Sequence, residues 1–128
     1  MQIYGTKEYL VFAPDQARFL YPRTNVEANK SSIPDIENVD LSRFPLYAGA
    51  RGTRFELHPG ETLFVPAGWW HTARLLTTSI TVSINGANAG NWSEFRRDYC
   101  AAIARRSRLK RALIEPWLGA LGILLTDL

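Results

Sequence analysis

His58 and His71 are the two histidines of this 128-residue sequence. His71 ends the stretch "PAGWWH", and His58 opens "HPGETLFVP". An imidazole at the end of an apolar run is a candidate metal ligand. A non-haem iron that activates dioxygen is commonly held by two histidines and one carboxylate on one face, with open positions left for substrate. The sequence contains no His-x-Asp and no His-x-Glu. On residue counting alone, a packed or hydrogen-bonded histidine accounts for His71 more simply than a ligand does. His58, just before a Pro-Gly pair, reads as a surface turn histidine, and Glu61 after the turn as solvated. Lys7 reads by itself as an exposed lysine at the start of a strand.

The elements that must position these residues follow from the pattern of apolar residues. "KEYLVFAP" reads as a strand ended by Pro14, and "PDQARFLYP" as one or two helical turns bracketed by prolines. Residues 23–40 are polar with little periodicity and read as a long surface loop. "DLSRFP" reads as a further helical turn. "TRFELH", "ETLFVP" and "WWHTARLL" read as strands separated by Pro-Gly and Ala-Gly turns. Trp69 and Trp70 must then point to opposite faces. In "TTSITVSIN", Ile80, Val82 and Ile84 alternate with Ser79, Thr81, Ser83 and Asn85. Short strands with such turns imply an antiparallel sandwich or barrel, and the polar face of the last strand suits a barrel holding a polar ligand. From Trp92 the spacing becomes helical, with Asn91 or Ser93 as cap and Pro116 as a break or kink, giving two helices.

Bulk properties narrow the class. The formal charge is +3, and the excess sits in "FRRDYCAAIARRSRLKR", so the basic pI does not point to nucleic acid. The single cysteine, Cys100, excludes an internal disulfide. "MQIYGTKEYL" lacks a signal-peptide core, and "WLGALGILL" is too short to span a bilayer. The expected location is cytoplasmic, with no membrane and no nucleic-acid partner.

Four blocks in order, "YGTKEYLVFAPDQARFLYP", "FPLY", "HPGETLFVPAGWWH" and "SITVSIN", resemble the JmjC and cupin-like hydroxylases, in particular the C-terminal half of the asparaginyl hydroxylases acting on hypoxia-inducible factor. The resemblance implies a mainly β fold, a double-stranded β-helix or jelly roll. It implies a barrel part over residues 1–90, incomplete at the N-terminus, and a helical extension over 91–128. It implies Fe(II) and 2-oxoglutarate as cofactors of a dioxygenase that hydroxylates a protein or small molecule. Carried over by position, His71 matches an iron-ligating histidine, and Lys7 the lysine that pairs with the distal carboxylate of 2-oxoglutarate. Asn85 matches an asparagine lining the pocket, though a strand-ending turn residue explains it equally well. Thr81 and Ser83 point the same way.

The family's His-x-Asp motif precedes its Gly-x-Lys by a dozen or more residues, whereas six residues precede Lys7 here. The expectation is therefore half an oxygenase site, inactive alone, with no catalytic residue assigned. The alternative is a non-catalytic cupin-like binding or interaction module. The apolar tail, centred on Trp117, Leu121 and Leu124 with Arg105, Arg106 and Arg108 solvated, is expected to form a homodimer. The resemblance agrees, since the related asparaginyl hydroxylases dimerise through C-terminal helices.

Overall fold

A computed structural model describes residues 1–24 and 29–126, without the side chains of 105, 106 and 124–126. The chain forms two compact units, Met1–Ile84 and Asn85–Leu128.

The first unit is antiparallel β. A three-stranded sheet has β2 (Lys7–Phe12) at its centre, flanked by β3 (Thr53–Leu57) and β4 (Trp70–Leu75). A two-stranded sheet pairs β1 (Gln2–Tyr4) with β5 (Ile80–Thr81). β2 is rich in aromatic and branched residues, and its last three, Leu10, Val11 and Phe12, are buried in succession, which suits a central strand. Leu10 and Phe12 form the core with Leu20, and Ile36, Tyr47, Ala50 and Trp70 pack around it. Leu20 ends a 3₁₀ helix, Pro14–Leu20, and Tyr47 belongs to a second, Pro45–Gly49, so residues from the β2–β3 connection cover one face of the sheet. Both helices begin on proline, whose fixed φ suits a first helical position.

The connection between β1 and β2 is a tight crossing. Gly5 has φ +68, and a Cβ there would run into the carbonyl oxygen of Thr78. The Thr6 N–H donates to Thr77 Oγ1 at 2.9 Å, and the N–H groups of Leu76 and Thr77 donate to the Thr6 carbonyl. Beside it, Gln2 is fully buried. Its amide nitrogen donates to the carbonyls of Tyr4 and Gly5, and its oxygen accepts from Thr81 Oγ1 at 2.7 Å. A buried amide with both ends satisfied is tolerated where an unpaired one would be costly.

Two sequence expectations are corrected. "ETLFVP" forms no strand, and Phe64 is exposed. "TTSITVSIN" is reduced to Ile80–Thr81, with Ile84 88% exposed. Alternation specifies which way side chains face, but a ladder needs a partner on the hydrogen-bonding edge, and among the described residues these segments have little.

In the second unit, α1 (Trp92–Arg106) and α2 (Arg108–Thr126) form a pair. The break lies at Ser107 and not at Pro116, which sits inside α2. Ser107 is extended, and its Oγ accepts the Lys110 N–H at 3.2 Å, the bond expected of a capping serine. Asn91 holds the cap position of α1, but its side chain accepts the Asn88 N–H and donates to the Gly86 carbonyl. Cys100 and Leu118 are buried, and Trp92 Nε1–H donates to the Leu118 carbonyl at 3.0 Å. Trp92, Phe95 and Tyr99 stack in succession along α1. Arg108 is exposed; the predicted solvation of Arg105 and Arg106, and the role given to Leu124, fall on side chains outside the description. Among the described residues no helix is long and apolar enough to cross a membrane.

Gly5→Ala should cost the first unit about 2–4 kcal/mol, because left-handed strain adds to a backbone collision. Urea unfolding followed by tryptophan fluorescence measures it, and Gly60→Ala, where φ is also positive but the space is open, should cost less.

Candidate functional site

Antiparallel pairing puts directly opposed residues on the same side of a sheet, and successive residues on opposite sides. The register therefore sorts the sheet into two chemically different faces. One carries three rows, Leu57–Lys7–Leu75, Phe55–Tyr9–Ala73 and Thr53–Val11–His71. The other carries Glu8, Leu10 and Phe12 with Arg54, Thr72 and Arg74. Lys7 and His71, picked out separately in the sequence, are thus brought onto one face, two rows apart on neighbouring strands. His71 and Ala73 are exposed, and Leu75 is 64% exposed. Tyr9 stacks on Phe55, with ring centroids 6.0 Å apart.

The opposite face is an ionic cluster on an apolar floor. Glu8, its side chain only 14% exposed, pairs with Arg74 at 3.0 Å and with Arg54. Arg54 also reaches Glu37 at 3.1 Å, tying the covering segment to the sheet. The bond to Glu37, then that to Glu8, raises the Arg54 guanidinium above its ordinary pKa. Burial, with Glu37 adding to it, pushes the Tyr47 phenol up. A cleft of about 650 Å³ opens here, bordered by Glu8, Trp69, Trp70, Arg74, Ile33 and Glu37. His71 also borders it, yet the pleat turns its imidazole to the other side. Trp70 packs on the core, and Trp69, one residue before β4, is partly exposed; both border this cleft.

Of the remaining candidates, Thr81 is engaged with Gln2 in the two-stranded sheet. Ser79, two residues before it, has a buried hydroxyl with no hydrogen-bond partner among the described residues. Ser83 is exposed, and Asn85 is exposed at the start of the second unit. His58 is an exposed turn residue; its N–H donates to Glu61 Oε2 at 2.7 Å, so Glu61 closes the turn. Sequence reasoning overlooked Gln2, Tyr9 and Ala73. Their places in the strand segments "KEYLVF" and "WHTARL" were the available signal for the last two.

Among the described residues no group of three His, Cys, Asp or Glu could hold a metal ion. His71 has no second imidazole or carboxylate in its three rows, so this face as it stands does not fit an iron ion.

The rows, the Gly5 crossing and the turn before β4 lie within residues 1–88, and over that range the sequence matches the family model of a cupin-like domain. The chain belongs to this family. Relatives of the cupin-like chain include HSPB1-associated protein 1 of Rattus norvegicus, 38% identical over 105 residues, covering 80% of this chain and 20% of the relative. The human tRNA wybutosine-synthesizing protein 5 is 33% identical over 85 residues, covering 66% of this chain and 25% of the relative. Lysine-specific demethylase 8 of Xenopus tropicalis is 35% identical over 82 residues, covering 64% and 18%. The chain spans about a fifth of the length of the first of these.

Replacing Glu8 with alanine leaves Arg54 and Arg74 close together without the carboxylate between them. The urea midpoint of Glu8→Ala should fall below that of the native chain at low ionic strength. The gap should narrow in about 1 M sodium chloride, where the Debye length is about 3 Å.

Proposed function

We propose that this chain carries the co-substrate half of an Fe(II)- and 2-oxoglutarate-dependent oxygenase site of the JmjC and cupin-like type. The observation that carries this is the placement of Lys7 and His71 on one face of the β3–β2–β4 sheet. Lys7 supplies a cation for a carboxylate, with leucines on either side to limit its hydration. His71 offers a nitrogen to a metal. The orphaned Ser79 hydroxyl and Thr81 are further candidates for the polar lining within the first unit. When bound, iron with 2-oxoglutarate would supply the oxidising chemistry. A second imidazole and a carboxylate would have to come from sequence beyond these residues or from a second chain. Names such as demethylase and wybutosine synthesis among the relatives support an oxygenase class while differing in substrate, so the substrate is left as a protein or small molecule. The lone histidine also favours a second reading, a non-catalytic cupin-like module that binds a carboxylate ligand at Lys7.

The helical unit is proposed to pair with a second copy. Leu109, Leu113, Trp117 and Leu121 recur every fourth residue along α2 and are exposed, Trp117 by 74%. Burying a large apolar side chain is worth roughly 1.5–3 kcal/mol, and symmetric pairing is the usual way to cover such a stripe.

Calorimetry separates the two site readings. The chain should bind manganese weakly, through His71, and bind 2-oxoglutarate in a manner lost in Lys7→Ala. A tight stoichiometric metal site would overturn the view that ligands are lacking, and unchanged 2-oxoglutarate affinity in Lys7→Ala would reduce Lys7 to an ordinary surface residue. For the helical unit, light scattering at micromolar concentration should give a dimer mass that Leu121→Asp lowers to the monomer. A native monomer would overturn the pairing.

A further inference from the structure

Among the described residues, Gln2 is the one polar residue that is buried outright. Every hydrogen-bonding group it owns is engaged. Its N–H donates to the Glu61 carbonyl and its own carbonyl accepts the Gly60 N–H, both at 2.9 Å. Its side-chain nitrogen donates to the carbonyls of Tyr4 and Gly5, each at 2.8 Å. Its side-chain oxygen accepts the Thr81 hydroxyl at 2.7 Å. A primary amide has two N–H donors, and both are used here.

These partners lie on three separate segments. Thr81 belongs to β5, Gly60 and Glu61 to the turn after β3, and Gly5 to the crossing from which β2 starts. Gly5 stands two residues before Lys7, at φ +68. The peptide plane is rigid, so the direction of a carbonyl fixes the direction in which the chain continues. By holding the Tyr4 and Gly5 carbonyls, the amide fixes how the backbone leaves the crossing toward Lys7. By accepting from Thr81, it refers that direction to the other sheet. An apolar side chain of the same volume would leave two carbonyls and a hydroxyl unpaired in a buried place. A carboxylate would set an anion against two carbonyl oxygens.

We infer that Gln2 is a positioning residue for the Lys7 site, setting the place and direction from which Lys7 enters its face of the sheet. This rests on the co-substrate reading above. It adds to that reading a residue that lies off the Lys7–His71 face and acts through the backbone.

The test is calorimetric titration of 2-oxoglutarate into the native chain, Gln2→Glu, Gln2→Met and Leu20→Val, between about pH 6 and pH 8. Circular dichroism checks that each is folded, and urea unfolding ranks their stabilities. In Gln2→Glu, burial and the two facing carbonyls favour the protonated carboxyl and raise its pKa above the ordinary carboxylate value. Protonated, it donates to one carbonyl and accepts from Thr81; ionised, it donates to neither carbonyl. The ratio of native to variant affinity should therefore grow by about tenfold as the pH rises across this range. His58, His71 and the Met1 amino group are common to both proteins, so the ratio isolates the residue at position 2. Gln2→Met should bind about tenfold more weakly than native at every pH, with a ratio that stays flat. Leu20→Val loosens the core on the opposite face and should leave the affinity within about twofold of native. If Gln2→Glu does not fold, Gln2→Met decides. Native binding that the folded Gln2 variants leave within about twofold at every pH overturns the inference and leaves the co-substrate reading standing. Equal weakening by Leu20→Val overturns it as well, because the loss would then follow stability alone. So does failure of both Gln2 variants to fold, which would make Gln2 a folding residue only. A native chain that does not bind 2-oxoglutarate overturns both.

Discussion

The double pairing of β2 is the constraint on which the first unit depends. With β3 on one edge and β4 on the other, the backbone of Lys7–Phe12 is fixed in register along its length. The pleat then assigns each side chain to a face without further choice. Glu8, Leu10 and Phe12 go to the face covered by the segment between β2 and β3, where an apolar core and a carboxylate held between two arginines anchor that cover. Lys7, Tyr9 and Val11 go to the other face, where they meet His71. Packed and candidate residues are thus divided between alternate positions of the strand. The covering face is packed and ion-paired without using Lys7.

Much of this division was legible in the sequence. The apolar run of "KEYLVF" ended by Pro14, the alternation of "TRFELH", the proline-bounded helical turns and the Pro-Gly turn gave strands and their limits, and the motif order gave the family. Pairing was less legible. "ETLFVP" has as strong a strand composition as β3, but composition describes side chains, and a ladder also needs a neighbouring backbone. The same holds for the ends of "TTSITVSIN". Gln2 could not be found by composition, since a glutamine near a terminus is normally solvated; its burial depends on the crossing at Gly5 and on a hydroxyl from Thr81, distant in sequence. Lys7 and His71 were named from motif matches, but that they share a face follows only from register. The iron expectation was limited by ligand count, since His71 has no second imidazole or carboxylate in its three rows.

The helical unit shows local capping outweighing a helix breaker. Proline within a helix removes a hydrogen bond and crowds the preceding turn, which makes Pro116 the natural place to expect a break. Ser107 intervenes earlier, where an extended residue ends α1 and its hydroxyl starts α2. Pro116 is carried within α2, two residues before the Leu118 whose carbonyl Trp92 binds. That bond, with buried Cys100 and Leu118, fixes which sides of the two helices meet. The apolar stripe of α2 is what remains outside.

The pleat of β2 also limits how the gene can change in length. The segment between β2 and β3 is held to the sheet by a few residues, among them Leu20, Glu37 and Tyr47, and between these anchors extra residues add only slowly growing loop entropy. Within Lys7–Phe12 a single inserted or deleted codon has a different effect. It would exchange the two faces of every residue beyond it, turning a carboxylate toward the imidazole and a tyrosine into the core. Related chains should therefore vary freely in length between the 3₁₀ helices while keeping the count from the lysine to the end of its strand unchanged.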